Sequence, residues 1–277
     1  MTTGRPASPA EKAREPLGAP RITFLGAPFD LLPKDAVLDR LKACGPAEPF
    51  AYVATPNVDH VVRLSRQPDL MPAYEAAWMS WCDSHQIERL GTLMGLDLPH
   101  LNGTDVMERL FAEVLAPGDA LAVVGADAAL GEALRQRFPQ YCWHFHAPPM
   151  GLAGNPQAWR AVLDFVAGHP ARFVFLAVGS PQSERLALAV LEEGRSRGTA
   201  FCIGAALEFL AGRKRRAPVP MQRLGLEWLH RLLQEPRRLW RRYAGSLVPL
   251  AYLVLREVRA NGLRRAEKVI PERRARG

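Results

Sequence analysis

The chain has 277 residues, 48% of them hydrophobic, which is enough for the core of one large domain or two small ones, so a globular protein is expected. Its net charge of +8 is unevenly sorted: from Arg213 onward 18 Lys and Arg face 5 Asp and Glu, leaving a tail of net +13 on a body of net −5. That asymmetry points to an anionic surface or substrate near the C-terminus, while four scattered cysteines without a CxxC pair indicate neither a zinc site nor a disulfide scaffold.

In chain order, residues 1–20 are rich in Pro, Ala, Gly and charge and contain no apolar h-region, so a disordered leader is expected and a signal peptide is not. Short apolar runs that end in turn residues and pass into helical patterns then fill residues 21–218. They are "RITFLGAPFD" at Arg21, "FAYVATPNVDH" at Phe50, "DALAVVGADAALGEAL" at Asp119, "YCWHFHAPPMG" at Tyr141, "RFVFLAVGSPQSERLALAVL" at Arg172 and "TAFCIGAALEFLAG" at Thr199. Such alternation predicts an α/β fold, Rossmann-like, with a mainly parallel sheet and helices on both faces. Ligands of such sheets bind outside the carboxyl ends of the strands, which assigns the turns at Thr55–Asn57, Gly125–Asp127, Gly179–Pro181 and Gly204 to one rim.

A further short run, "WMSWCDSH", delivers Asp83 to its polar end. Partial desolvation there suits a general base, and the same position suits a helix N-cap. "VVGADAALG" falls short of a GxGxxG dinucleotide fingerprint and reads as a phosphate-facing or packing turn at Gly125. "AVGSPQSE" sets Gly179 where backbone can approach a ligand, with Glu184 in the first turn of a helix, and reads equally as an ordinary helix start. His144 and His146 alternate on one strand, but no third ligand accompanies them, so no metal site is predicted. The chain also lacks any Asp-x-Asp, so a bound diphosphate would need protein cations, a task that suits arginine.

From residue 219 to 277 the pattern changes to a basic, amphipathic helical appendage. In "GLEWLHRLLQEPRRLWRRY", Trp228, Leu229, Leu232 and Leu233 share a helical face, while Arg231, Arg238, Arg241 and Arg242 mostly point elsewhere and Pro236 restarts or kinks the helix. The apolar stretch Leu247 to Leu255 contains Pro249 and is far shorter than the ~20 residues of a membrane span. Such a tail fits an interfacial element on anionic lipid, or a terminal helix pair with a solvated basic face.

The segments "TPNVDHVVRLSRQPDL", "VVGADAALGEALRQRFPQ", "VGSPQSE", "IGAALEFLAGRKRRAP" and "GLEWLHRLLQEPRRLWRRY" together resemble the WecG/TagA/CpsF family, glycosyltransferase family 26. The resemblance runs from about Ile22 to Tyr243. It implies transfer of a sugar from a UDP-sugar donor to a polyprenyl-diphosphate-linked acceptor, with inversion and without metal or other cofactor, by a peripheral enzyme on the cytoplasmic face of the bacterial inner membrane. It also implies Asp83 as catalytic base, Thr55 and Asn57 beside it, and Gly179, Glu184, Gly204 and Glu208 on the nucleotide side, to which the turn at Gly125 adds a further candidate for substrate binding. Arg231, Arg238 and Arg241 would reach the diphosphate from an appendage that also helps attach the enzyme to the membrane. Four positions depart from the family pattern: Ser84 in place of Gly, Ser183 in place of Gln, Leu207-Glu208 in place of Phe-Asp, and Asn102 in place of Arg.

The expected partners are therefore the nucleotide sugar, the lipid-linked acceptor and an anionic membrane surface, with homo-oligomerisation left open. A scaffold relative of weakened activity is the rival suggested by Ser84 and Ser183. A nucleic-acid binder is the rival suggested by the basic tail, but that tail's aromatics lie within a Leu-rich stripe and form no stacking platform, so nucleic acid is not an expected partner.

Overall fold

A computed structural model of the chain describes residue 14 and residues 18–261, apart from the side chains of Arg223, Arg238, Leu239, Arg241, Arg242 and Asn261. The expected leader lies almost wholly outside the described residues.

The first apolar run does not join the main sheet. Arg21–Phe24 (β1) and Ala27–Asp30 (β2) pair antiparallel instead of leading through a turn into a helix. The cause is the two-residue turn between them: Leu25 and Gly26 both take positive φ, 51° and 82°, the combination that reverses a chain into a tight hairpin.

Lys34–Lys42 (α1) follows, and then the main sheet begins: Ala51–Ala54 (β3), Val58–Arg66 (α2), Met71–Glu75 (α3), Met79–Ser80 (β4), His85–Leu93 (α4) and Gly103–Arg109 (α5). After a π-helical turn come Ala120–Val124 (β5), Ala128–Arg137 (α6), Cys142–His146 (β6), Pro156–Gly168 (α7), Phe173–Leu176 (β7), Gln182–Glu193 (α8), Thr199–Cys202 (β8) and Ala206–Leu210 (α9). The six strands run in the order β4-β3-β8-β7-β5-β6 and are all parallel.

Both sheet faces are covered, and the period of two in the strands divides the core. Ala54, Ala122, Val174, Ala200 and Cys202 face one apolar cluster, which includes Val61, Val162, Leu186 and Val190 from α2, α7 and α8. Val53, Val123, Phe173, Phe175 and Phe201 face the other, which includes Val37, Val106, Leu134 and Leu207 from α1, α5, α6 and α9. Edge strand β4 is covered by the hairpin: Asp30, buried and paired with Arg21 at 2.6 Å, accepts from the Ser80 amide at 2.7 Å, and Ser80 Oγ donates to Pro28 O. Cys44, Cys82 and Cys202 are buried, whereas Cys142, at the start of edge strand β6, is exposed.

Connections leave in opposite directions between β5 and β7, since β5 leads outward to β6 and β7 leads back to β8. Here Gly125 has a φ of 101°, and a Cβ on it would lie 2.9 Å from the Ala177 carbonyl carbon and oxygen. The turn at Gly125 is thus packed backbone to backbone against the chain leaving β7. Gly125→Ala is expected to destabilise the fold by about 3 kcal/mol, measured as a lower midpoint of urea unfolding.

Three helices complete the described chain: Val219–Arg223 (α10), Glu227–Gln234 (α11) and Pro236–Asn261 (α12). Pro236 opens α12, so the proline restarts the helix, whereas Pro249 lies inside it. Along α12, Ser246, Leu253 and Glu257 are buried and Leu250, Val254 and Val258 pack against the core, a spacing that turns one stripe of the helix inward. The inward stripe also reaches the hairpin, where Glu257 Oε2 accepts from the Leu25 amide at 3.2 Å and so holds the positive-φ turn.

Candidate active site

All six parallel strands present their carboxyl ends to one rim, and in the order of the sheet that rim carries Asp83 after β4, Thr55 and Asn57 after β3, Gly204 after β8, Gly179 after β7 and Gly125 after β5. Asp83 and Thr55 therefore belong to neighbouring strands. Their segments stay paired beyond the strand ends, with the Trp81 amide donating to Ala54 O at 3.2 Å and the Asp83 amide to Pro56 O at 3.0 Å.

Asp83 does not cap the helix that follows it. Ser84 does so, accepting from the Ile87 amide at 3.4 Å, which gives this departure from the family glycine a local structural role. The Asp83 side chain instead turns to α5, where Oδ1 accepts from the Gly103 amide at 3.0 Å. Burial drives its pKa up to about 7; the Gly103 hydrogen bond and the charge of Arg231 oppose that rise, while Glu227 and Asp105 add to it. A carboxylate so placed exchanges its proton near neutral pH.

The C-terminal helices close over this corner. Asn102, the departure from arginine, caps α5 through Oδ1 and donates from Nδ2 to Glu227 Oε2 at 2.8 Å. Arg216 contacts Asp105 at 2.7 Å, Glu108 at 3.3 Å and Glu227 at 3.3 Å. The first turn of α11 is thereby clasped to the N-terminus of α5, the same helix end that binds Asp83. One turn further on, Arg231 holds its guanidinium over the Phe209 ring, 5.4 Å from the centroid. Arg231 thus comes to the Asp83 side of the rim, while the side chains of Arg238 and Arg241 lie outside the described residues.

The remaining expected residues divide by depth. Thr55 is buried, its hydroxyl 3.5 Å from Cys202 O. Asn57 spends its side-chain oxygen capping α2, accepting from the Asp59 amide at 3.1 Å. Gly179 and Gly204 have open space where a Cβ would project, as a ligand-facing turn requires. Glu208 is half-buried on α9, and its carbonyl accepts from the Arg213 and Lys214 amides. Glu184 is 2% exposed; its carboxylate faces inward, with Oε1 3.9 Å from His60 Nε2 and Oε2 buried without a hydrogen-bond partner. Ser183, the departure from Gln, is also buried and donates to Leu176 O at 2.9 Å, inside the fold. His144 stands against His169 and His146 stacks on Phe165, so both serve packing between β6 and α7.

Sequence reading missed Arg216 as part of this corner. Arg216 stood in a run of four basic residues, Arg213 to Arg216, where nothing local singles out the one that is tied down.

A doubly wound parallel sheet whose rim bears a half-buried carboxylate is a Rossmann-like α/β fold. Residues 22–264 match the family described as glycosyl transferase WecG/TagA/CpsF, and the chain belongs to that family. Its role is that of a glycosyltransferase in cell-surface polysaccharide synthesis. Among the described residues, no helix is long and apolar enough to cross a membrane.

Proposed function

We propose that this chain is an inverting, metal-independent glycosyltransferase that moves a sugar from UDP to a polyprenyl-diphosphate-linked acceptor on the cytoplasmic face of the inner membrane. The observation that carries this reading is the clasp: Glu227, held by Asn102 and Arg216, brings α11 and Arg231 to the helix end that also binds Asp83. Asp83 accepts the proton of the acceptor hydroxyl as that oxygen attacks the anomeric carbon, and UDP departs from the opposite face. Arg231, joined by Arg238 and Arg241, meets the diphosphate charge that grows at departure, the task an ion performs elsewhere. Thr55 and Asn57 lie between base and nucleotide turns, and the open turns at Gly204 and Gly179 receive the nucleotide two and three strands from Asp83, roughly 10 to 14 Å away at the usual strand spacing. Positioning and charge stabilisation supply the acceleration.

The membrane half of the proposal is supported by the outer stripe of the appendage. Trp228, Leu233, Trp240, Leu247, Val248 and Tyr252 are exposed along α11 and α12, on helices that also carry an excess of arginine. Aromatic and apolar side chains interleaved with cations suit the headgroup boundary of an anionic bilayer, where each basic residue adds about 1 kcal/mol.

Two experiments test the reading. Mass spectrometry of a purified lipid-linked acceptor, incubated with a panel of UDP-sugars, is expected to show one added sugar, with no gain from added Mg²⁺ or Mn²⁺; strict dependence on either ion refutes the arginine role. In flotation with anionic vesicles the protein is expected to rise with lipid, and the pair Leu247→Glu and Tyr252→Glu to lower the bound fraction by at least about tenfold while leaving unfolding unchanged. Equal flotation of that variant refutes the docking face.

A further inference from the structure

Beside the reaction corner, two residues after Asp83, the described residues hold one cluster with metal-ligand chemistry that the transfer step does not use: His85, Glu88 and His100. His85 and Glu88 lie three residues apart on the first turn of α4, so their side chains share a face, and His85 Nδ1 is 2.9 Å from Glu88 Oε2. His100 comes from a different segment. A parallel bridge to Cys82 fixes it, and its ring stacks on that of His85 with centroids 3.7 Å apart and planes inclined at 28°. One ligand atom from each of the three lies within 4.8 Å of the others.

We propose that His85, Glu88 and His100 form a binding site for one divalent transition ion of the zinc class, completed by solvent. A tetrahedral ion with bonds of about 2.0 to 2.1 Å needs donor atoms about 3.4 Å apart. The His85–Glu88 pair is already close to that separation, and capture of the ion requires the two rings to turn out of their stack until both lone pairs converge. Two imidazoles and one carboxylate suit zinc, cobalt or nickel and leave magnesium and calcium, which prefer all-oxygen shells, unbound. A shallow depression bordered by Glu88, Thr92 and Leu93 opens the cluster to solvent and gives the ion its path of entry.

The surroundings assign the ion a holding role. His85 packs against the turn that joins α10 to α11, where a Cβ on Gly225 would come within 2.9 Å of His85 Cβ. From the same helix, Gln86 Nε2 donates to Gly225 O at 3.3 Å and Arg89 donates to Leu224 O at 2.8 Å. An ion on His85 therefore fastens α4, the loop at His100 and the entrance of the appendage together.

The test uses untagged full-length protein stripped of metal. Calorimetric titration is expected to show about one zinc per chain and no magnesium, with a rise in Tm of several degrees at saturating zinc. Glu88→Gln and His85→Asn are expected to weaken zinc binding at least about tenfold and to abolish the zinc-dependent rise, while His100→Cys, which keeps a ligand in place, retains binding. Metal-free Tm values of the variants separate loss of a ligand from loss of the fold. Absence of stoichiometric zinc binding in the unaltered protein overturns the proposal, as does equally tight binding by both Glu88→Gln and His85→Asn, which would place the ion elsewhere.

Discussion

Replacing Asp83 by Asn lowers turnover by about 10² to 10⁴-fold and leaves UDP affinity nearly unchanged, because the amide keeps an acceptor for the Gly103 amide but cannot take a proton. The same substitution removes a pH limb. Asp83 acts only when ionised, and its pKa in the fold is about 7, so turnover in metal-free buffer rises as pH climbs through 7 and levels above it. The sign for stability is the reverse. A carboxyl raised from 3.8 to about 7 by burial binds its proton more tightly folded than unfolded, so its contribution is complete below about pH 4 and is lost as pH rises to 7. At pH 8 the Asn variant is therefore expected to be more stable than the unaltered protein by roughly 2 to 4 kcal/mol, and at pH 4 to match it. Urea unfolding at the two pH values measures this. A variant that loses activity because it unfolds shows the opposite stability change, so the two measurements together separate a base from a merely structural aspartate. Undiminished turnover removes Asp83 from the role.

How much of this corner can be read from sequence depends on the range of the interactions. Each strand of the main sheet announces itself locally, because runs such as Ala120–Val124 and Phe173–Leu176 are apolar on both faces and end in turn residues. Arg21–Asp30 has the same local look and becomes a hairpin, since only the backbone conformation at Leu25, held by Glu257 from the far end of the chain, distinguishes the two outcomes. Asp83 is legible as a carboxylate ending an apolar run. Its environment is not legible, because Gly103, Glu227 and Arg231 lie 20 to about 150 residues away and converge only through the sheet order. The departures at Ser84 and Ser183 look like losses of function in a linear comparison. In three dimensions one caps α4 and the other bonds inward to Leu176, so each has a local structural role. Glu184 shows the same limit: a first-turn acid suggests a ligand at the helix start, and only the fold shows its side chain buried beside His60.

The appendage arginine yields the second large effect. Deleting everything after Arg213 is a poor test, because Leu253 fills the core and Glu257 holds the hairpin turn, so truncation would expose apolar surface as well as remove cations. Arg231→Ala leaves those contacts in place and is expected to lower kcat about 10²-fold, with Arg231→Lys intermediate because it keeps the charge but loses the planar fork. The charge of Arg231 also holds the Asp83 pKa down against burial, so its removal shifts the rising limb of the pH profile to higher pH, whereas Arg231→Lys leaves that limb nearly in place. This coupling decides between two roles for the arginine. If Arg231 only packs on Phe209, its charge still moves the limb in Arg231→Ala, but kcat on the plateau stays nearly unchanged. If it faces the shared space between base and diphosphate, kcat and the pH limb change together in Arg231→Ala and separate in Arg231→Lys. An unchanged kcat in the alanine variant would leave the clasp at Glu227 as a purely structural joint, and the departing diphosphate would need another cation.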